Sequence, residues 1–276
     1  MTARAEVGLS VLDSRFCITS DDDRMLAFVR RLWEPFATDD LDDAALIGIE
    51  TQREGWRLDA PPQTETFAID PWVFASVLRN ALTRRAVAEA RSVFPLHGAA
   101  AERDGTFVVL SAPPLAGKTT LLLELLARGW RLVTDDLVPL EPGGLTAAPF
   151  PKPISVRDPA RWQRVASSWD VPTWLPPPTT VGLIPATAFA RTDASAFTPT
   201  ALVFSRFESG AAPAAERLSA GRTVAACAEN LHPVVAATPA ALQAVARLGS
   251  ATPGWAITYG STDAAVDLFE KSLAAL

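Results

Sequence analysis

A glycine, a lysine and a threonine that could bind phosphate follow a short apolar run. Thr106–Ser111 is rich in β-branched and aromatic residues, which is typical of a buried strand, and Lys118–Arg128 carries leucines at helical spacing. Gly117, Lys118 and Thr119 therefore lie where a strand passes into a helix. The first turn of a helix has unpaired N–H groups and a partial positive charge, which attract phosphate oxygens. This pattern predicts a phosphate-binding loop.

The residue types in this loop predict separate roles. Lys118 would reach the β and γ phosphates of a nucleotide, and the Thr119 hydroxyl would ligate magnesium. Ala112 stands where the usual Gly-x-x-x-x-Gly-Lys-Ser/Thr pattern has its first glycine, and the two prolines after it lack an N–H donor. The predicted nucleotide-binding residues are Leu115, Ala116, Gly117, Lys118, Thr119 and Thr120. A Gly-Lys-Thr triplet in an ordinary surface turn is the alternative.

Two adjacent carboxylates follow the next predicted strand. The segment Arg128–Thr134 ends the helix at a glycine and enters another short apolar strand, which leads into Asp135 and Asp136. Ligands of open α/β sheets bind at the carboxyl ends of the strands, so both carboxylates are expected to face Lys118. One would orient magnesium and the other would accept a proton from an attacking hydroxyl. Which one is the base stays open, and so does a simple turn or helix cap.

Several segments occur together in an order that one protein family shares. The segments are Leu96–Ala100, Ala116–Thr119, Arg128–Asp136 and Pro151–Arg157, followed less specifically by Val203–Gly210 and Ala228–His232. Between about Phe94 and Asn230 the chain resembles the HPr kinase/phosphorylase superfamily, and more closely the bacterial HPr kinase-related proteins. The resemblance implies an α/β fold with a P-loop kinase core of the HPr kinase/PEP carboxykinase type and a smaller N-terminal α+β module.

The same resemblance implies roles for the carboxylates and their neighbours. Asp135 would be the general base, and Asp136 would support it or hold metal together with Thr119. His97 would lie beside the carboxylates, where an imidazole could stabilise the transferring phosphoryl group or tune the base. Apart from the resemblance, Arg157 and Arg206 are candidates to offset phosphate charge. For His97, a strand histidine packed under the sheet is the alternative.

These residues together predict an ATP- and Mg²⁺-dependent kinase acting on a hydroxyl. The acceptor would be a serine of a peptide or protein, or a small molecule. The alternative is a catalytically impaired nucleotide-binding module that acts as a sensor or scaffold in a peptide-maturation or surface-polymer system. Ala112 in place of the first glycine favours this alternative, as does Thr120 where the family has a metal-binding glutamate. Resemblance alone implies a homo-oligomer.

Composition narrows the partners and the metal. The 276 residues carry a net charge of −6, which argues against a nucleic-acid partner because binding to phosphate backbones needs an excess of basic residues. The two cysteines, Cys17 and Cys227, are far apart and have no metal-ligand spacing, which favours a reducing compartment. With only His97 and His232 as histidines, the expected metal is magnesium with oxygen ligands. No apolar run of about 18 residues and no secretory signal is visible, so we expect a cytoplasmic protein with no membrane contact.

The chain is expected to divide near residue 92. Residues 1–92 would form the N-terminal α+β module and residues 93–276 the kinase-like domain. In the module, Val7–Thr19 alternates like a strand, and a helix is predicted to begin after Asp70 because proline is favoured in a first turn. In the second part, Trp169–Pro178 contains three consecutive prolines after tryptophans, which predicts an extended loop. Its tryptophans would contact a partner or pack in a core.

Overall fold

The computed structural model describes residues 5–61, 63–113, 116–233 and 238–273, and for residues 63–65 only the backbone. The helices are α1 (Asp23–Leu32), α2 (Pro71–Glu89), α3 (Lys118–Ala127), α4 (Pro159–Ala166), α5 (Ala220–Glu229), α6 (Pro239–Ala251) and α7 (Thr262–Leu273), with short 3₁₀ turns at Glu34–Phe36 and Ala186–Ala188. The strands are β1 (Ala5–Val11), β2 (Ser14–Ser20), β3 (Ala45–Thr51), β4 (Trp56–Ala60), β5 (Gln63–Ala68), β6 (Phe94–Leu96), β7 (Gly98–Arg103), β8 (Thr106–Ser111), β9 (Arg131–Thr134), β10 (Val138–Leu140), β11 (Ile154–Val156), β12 (Gly182–Ile184), β13 (Ala201–Phe207), β14 (Ala214–Leu218) and β15 (Gly254–Tyr259).

The chain forms two compact units, and the first is built from two separate segments. Unit 1 comprises Met1–Arg91 and Lys152–Ala188, and unit 2 comprises Ser92–Pro151 and Phe189–Leu276. The sequence predicted one boundary near residue 92, and the structure has a break there but also returns Lys152–Ala188 to the first unit. Local patterns do not reveal such a return because it depends on contacts between residues far apart in the chain.

Unit 1 contains a sheet with α1 and α2. Among the described residues this sheet has five strands in the order β1-β2-β3-β4-β5, with β2 and β3 parallel and the other pairs antiparallel. The segment predicted as one strand, Val7–Thr19, is a hairpin instead, because the chain turns at Leu12 with a φ of 53°. The predicted helix after Asp70 is α2, whose first N–H groups are capped by the Asp70 carboxylate.

An aromatic cluster binds the proline-rich segment to the rest of unit 1. Trp72 on α2 is fully buried and donates its indole N–H to the Pro176 carbonyl at 2.6 Å. Its ring contacts Trp162 and Trp169 edge-on, with centroids 5.2 and 6.5 Å away. Trp174 packs against Phe28. The segment from Trp169 to Pro178 contains neither helix nor strand, as predicted. Its tryptophans, Trp169 and Trp174, pack against other aromatic rings of unit 1.

Unit 2 is a mixed α/β unit around a sheet that contains parallel and antiparallel strands. In the described part of the chain this sheet has six strands in the order β14-β15-β13-β8-β7-β9. The central strands β15, β13 and β8 are parallel, so their carboxyl ends meet at one edge. The helix α3 follows β8 and buries leucines of its apolar side, Leu121, Leu122 and Leu125. No helix in the described residues is long and apolar enough to cross a membrane.

A second helical layer covers the other face of the unit 2 sheet. Leu202 and Val109 from the sheet join Val245 and Leu248 from α6 in one buried cluster, with Phe204 packed against it. Burying an aliphatic side chain of this size stabilises a fold by about 1.5–3 kcal/mol. The two helical layers hold the parallel strands in place, and with them the edge where the strands end.

Candidate functional site

The loop between β8 and α3 lies where the sequence predicted the passage from a strand into a helix. Gly117 has a φ of 89°, in the left-handed region that favours glycine, and α3 begins at the next residue. The Ala116 N–H donates to the Pro113 carbonyl at 3.2 Å. Pro114 and Leu115 lie outside the described residues, so a phosphate contact from Leu115 stays a prediction.

Tyr259 fixes the position of Gly117. This tyrosine ends β15 and is fully buried, and its hydroxyl lies 3.4 Å from the Gly117 carbonyl oxygen. A Cβ atom at residue 117 would lie only 2.5 Å from that hydroxyl, so no side chain fits there. The sequence pattern did not single out Tyr259 as a site residue. Its contact with the loop joins residues 142 positions apart, so no local pattern could reveal it. An aromatic residue at the end of a strand was the only sequence feature that could have suggested a role at the site.

The N-terminus of α3 carries groups that suit an anion. The first N–H groups of a helix have no partner within the helix and carry partial positive charge. The first turn of α3 contains no acidic side chain that would offset this charge. Thr119 and Thr120 are partly exposed in that turn. The turn can therefore present backbone N–H groups and hydroxyls to phosphate oxygens.

Lys118 is almost buried and lies close to two acceptors. Its side chain is 7% exposed, and its Nζ lies 3.0 Å from the Ala112 carbonyl oxygen and 2.8 Å from His97 Nε2. Burial lowers the pKa of the Lys118 ammonium, and the charges of Asp136 and Asp135 act in the opposite direction. An ammonium has three N–H donors, and its contacts with described residues use two of them, which leaves one for a phosphate oxygen.

His97 is held by backbone contacts between β6 and β7. Its N–H donates to the Asn230 carbonyl at 2.7 Å, and its own carbonyl accepts from the Ser111 hydroxyl at 2.9 Å. Its Nδ1 lies 3.0 Å from the Asp136 carbonyl oxygen. A charged Lys118 can only donate, so Nε2 must accept and the proton must be on Nδ1, which donates to that carbonyl. The structure therefore places His97 between Lys118 and Asp136.

The chain turns sharply at the two aspartates. β9 ends at Thr134, whose hydroxyl donates to the Leu137 carbonyl across the turn. Asp136 has a φ of 70°, a left-handed conformation that aspartate tolerates better than most residues. This turn separates the two neighbouring carboxylates.

Each carboxylate has its own surroundings. Asp135 is 1% exposed and accepts from the Thr119 hydroxyl at 3.2 Å, whereas the Asp136 side chain is 40% exposed with Oδ1 3.4 Å from His97 Nδ1. The sequence predicted Thr119 and Asp136 as metal ligands, and this stays a prediction; the structure brings Thr119 together with Asp135. Within the described residues no group of three or more His, Cys, Asp or Glu side chains could hold a metal by itself.

Arg157 belongs to unit 1, where it is exposed just after β11. The other catalytic residues predicted from the sequence, His97, Asp135 and Asp136, all belong to unit 2. A role for Arg157 at the phosphate therefore stays a prediction.

Comparison with solved structures finds distant structural similarity to known proteins. The HPr(Ser) kinase/phosphatase from Coxiella burnetii is 14% identical, with 66% of this chain and 93% of that chain covered, at a TM-score of 0.34. No protein-family model and no curated protein matches the sequence. At this identity and TM-score the similarity establishes no shared activity, so the function rests on the site itself.

Proposed function

We propose that the protein is an ATP- and Mg²⁺-dependent phosphotransferase that acts on a hydroxyl. The observation that supports this most strongly is the meeting of a buried lysine, a hydroxyl, two carboxylates and a histidine at one helix N-terminus. These are Lys118, Thr119, Asp135, Asp136 and His97. Phosphoryl transfer needs positive charge at the phosphates, oxygen ligands for magnesium and a base for the acceptor hydroxyl. The group contains a residue for each requirement.

Lys118 and the first turn of α3 bind the phosphates in this proposal. The remaining N–H of Lys118 would donate to a phosphate oxygen, and the backbone N–H groups of Thr119 and Thr120 would donate to others. Because Lys118 is almost buried, its charge is poorly screened by water and acts strongly on a bound anion. A triphosphate chain therefore fits the loop better than an uncharged ligand does.

The donor set fits magnesium. Thr119 Oγ1 and Asp135 Oδ1 are hard oxygen donors 3.2 Å apart, and magnesium in nucleotide sites is commonly held by one or two protein oxygens together with phosphates and waters. When bound, magnesium would neutralise phosphate charge beside the carboxylates. The side chains of Lys118, Asp135 and Asp136 carry a net charge of −1 with a neutral His97, so a triphosphate needs such a cation to approach. We therefore assign Thr119 and Asp135 to the metal.

Asp136 is the better general base of the pair. A base must lie within hydrogen-bond reach of the acceptor hydroxyl, and Asp136 is 40% exposed whereas Asp135 is buried and bonded to Thr119. This exchanges the roles that the resemblance implied. His97 acts as a positioning residue, because it holds both the Asp136 backbone and the Lys118 ammonium.

The proposed reaction transfers one proton and one phosphoryl group. The acceptor hydroxyl loses its proton to the Asp136 carboxylate while its oxygen forms a bond to the γ phosphorus. The bond from that phosphorus to the β,γ-bridging oxygen breaks, and ADP leaves with the electron pair. Lys118 offsets the charge that develops on the phosphate oxygens.

Nucleotide binding and hydrolysis by two asparagine variants test these assignments. Water serves as the simplest acceptor, so phosphate release from MgATP is measured together with the dissociation constant. Asp136→Asn should keep the affinity and lower the hydrolysis rate about 100-fold or more, because general base catalysis contributes roughly 10²- to 10⁴-fold. Asp135→Asn should weaken the dependence of binding on magnesium.

Asp104→Asn is the matched control. Asp104 is also a left-handed aspartate of unit 2, with a φ of 53°, but it lies in the hairpin between β7 and β8. Its substitution should change neither binding nor hydrolysis. Wild-type hydrolysis by Asp136→Asn would refute the base assignment. Tight MgATP binding without turnover by the wild type, with water or any acceptor, would favour a nucleotide-binding sensor or scaffold.

A further inference from the structure

An exposed aromatic ring stands beside the phosphate-binding loop. Phe207 is the last residue of β13 and is 50% exposed. Its Cβ lies 3.5 Å from the point where a side chain at Gly117 would begin. Single exposed apolar side chains are common and by themselves need no explanation. The position of Phe207, next to the glycine that precedes Lys118, is what sets it apart.

The sheet directs Phe207 to the side of the loop. Phe204, three residues earlier in β13, packs against the core cluster that includes α6. Side chains alternate between the two faces of a strand, so Phe207 lies on the opposite face from Phe204. On this face its Cβ lies 3.5 Å from the position that a Cβ at residue 117 would take.

Neighbouring contacts hold the ring in place before any ligand binds. Tyr259 meets Phe207 edge-on, with ring centroids 5.7 Å apart and planes at 69°. The backbone after Phe207 is tied to the same residue, because the Glu208 N–H donates to the Tyr259 carbonyl at 2.9 Å. The turn then closes with the Ala211 N–H donating to the Glu208 carbonyl at 3.0 Å. Tyr259 therefore positions both Gly117 and Phe207.

We propose that Phe207 is the platform on which the base of the bound nucleotide stacks. This inference rests on the proposed function, since it assumes that the phosphates lie at the N-terminus of α3. A nucleoside triphosphate bound there must extend its ribose and base away from Lys118, and a fixed, half-exposed ring beside Gly117 offers a π face for that base. Stacking on an aromatic side chain tolerates any base, because every base has a π face.

Binding of ATP and of inorganic tripolyphosphate separates the base from the phosphates. Both ligands are titrated with Mg²⁺ into the wild type, Phe207→Ala and Phe207→Trp. Phe207→Ala should raise the dissociation constant for ATP about tenfold or more, in the range measured for loss of one stacking contact, and should leave that for tripolyphosphate within about twofold. Phe207→Trp keeps a ring and should retain ATP affinity. Phe207→Leu serves the same purpose as Phe207→Ala if the alanine variant does not fold.

Phe67→Ala is the matched control, because Phe67 is a phenylalanine of unit 1 with nearly the same exposure, 51%. It should leave both dissociation constants unchanged. If Phe207→Ala raises the dissociation constants for ATP and tripolyphosphate equally, or changes neither, the stacking role is overturned. The proposed phosphate site would not be contradicted by either result. Failure of the wild type to bind either ligand would instead overturn the proposed function, and the inference with it.

Discussion

At the scale of single residues, Lys118 combines a charge with an almost buried position. Burial lowers the pKa of its ammonium in the folded protein below the ordinary value of about 10.4. The charged form is therefore disfavoured by folding, and nearby phosphate would compensate for this. The folded protein without ligand is expected to be less stable than the same fold with an uncharged residue at this position.

The stability of the protein without nucleotide should depend on pH through Lys118. Between the lowered folded pKa and the unfolded value of about 10.4, the unfolded chain binds more protons than the folded chain, so this contribution makes stability rise with pH. Below the folded pKa the penalty is complete. Lys118→Met removes this term, so the stability of the wild type relative to the variant should increase as pH approaches 10. Urea unfolding of both proteins from pH 7 to 10 measures it, and a constant difference would contradict the burial effect.

The two aspartates show what a single residue type can predict and what it cannot. Their position after an apolar strand correctly suggested carboxylates at the end of β9, near Lys118. Asp135 lies close to Thr119 and Asp136 lies close to His97. This arrangement depends on the left-handed φ at Asp136, a conformation that aspartate permits but does not require. Sequence alone therefore could not predict that the two carboxylates have different surroundings.

At the scale of elements, the loop from β8 to α3 depends on Gly117 for two reasons. Its φ of 89° disfavours any other residue, and the Tyr259 hydroxyl occupies the space that a side chain would need. Gly105 shares only the first property, with a φ of 78° and nothing within 4 Å of a built Cβ. Comparing substitutions at the two glycines therefore separates the cost of the backbone conformation from the cost of the clash with Tyr259.

Gly117→Ala should lower stability and abolish nucleotide binding. The left-handed conformation costs a non-glycine residue roughly 1–2 kcal/mol, so both alanine variants should be less stable than the wild type by this amount. Gly117→Ala should lose more, since Tyr259 must move, and the movement should displace the loop from its phosphate-binding geometry. Gly105→Ala should bind MgATP like the wild type. Thermal unfolding and calorimetry test both variants, and equal behaviour of the two would show that Tyr259 does not shape the loop.

Local elements were the most predictable part of the fold. Short patterns predicted a strand at Thr106–Ser111, a short strand within Arg128–Thr134 and a leucine-rich helix after Gly117. The structure contains them as β8, β9 and α3. The hairpin within Val7–Thr19 was missed, because Leu12 is not a typical residue for a left-handed turn. Patterns of a few residues capture hydrophobic periodicity, whereas such a turn is imposed by strand pairing.

At the scale of the whole molecule, the return of Lys152–Ala188 to unit 1 was the feature that sequence could not predict. Trp72 shows why this segment matters. It is fully buried, with its indole N–H bonded to Pro176 and its ring against Trp162 and Trp169, all from the returning segment. Arg79 likewise donates to the Pro153 carbonyl at 2.9 Å. These contacts join residues 74 or more positions apart, beyond any local pattern.

Residues 1–91 alone should therefore fail to fold cooperatively. Without residues 152–188, Trp72 would be exposed to water. Removing a large buried aromatic side chain costs about 3–5 kcal/mol, so exposing Trp72 should cost stability of the same order. A chain that joins Arg91 to Lys152 through a flexible glycine and serine linker and ends at Ala188 should recover a cooperative transition. Thermal unfolding followed by tryptophan fluorescence compares the two. A cooperative transition of residues 1–91 alone, at the same temperature, would show that the returning segment is not part of this unit's core.

Binding of MgATP measured by calorimetry tests the central claim most directly. The wild type is compared with Lys118→Met and with Lys271→Met, an exposed lysine of the same unit at the end of α7. We expect the wild type and Lys271→Met to bind with the same affinity and Lys118→Met to lose detectable binding, because the phosphates lose the charge buried at the N-terminus of α3. Absence of binding by the wild type in the presence of magnesium, or equal binding by Lys118→Met, would contradict a phosphate site at this loop.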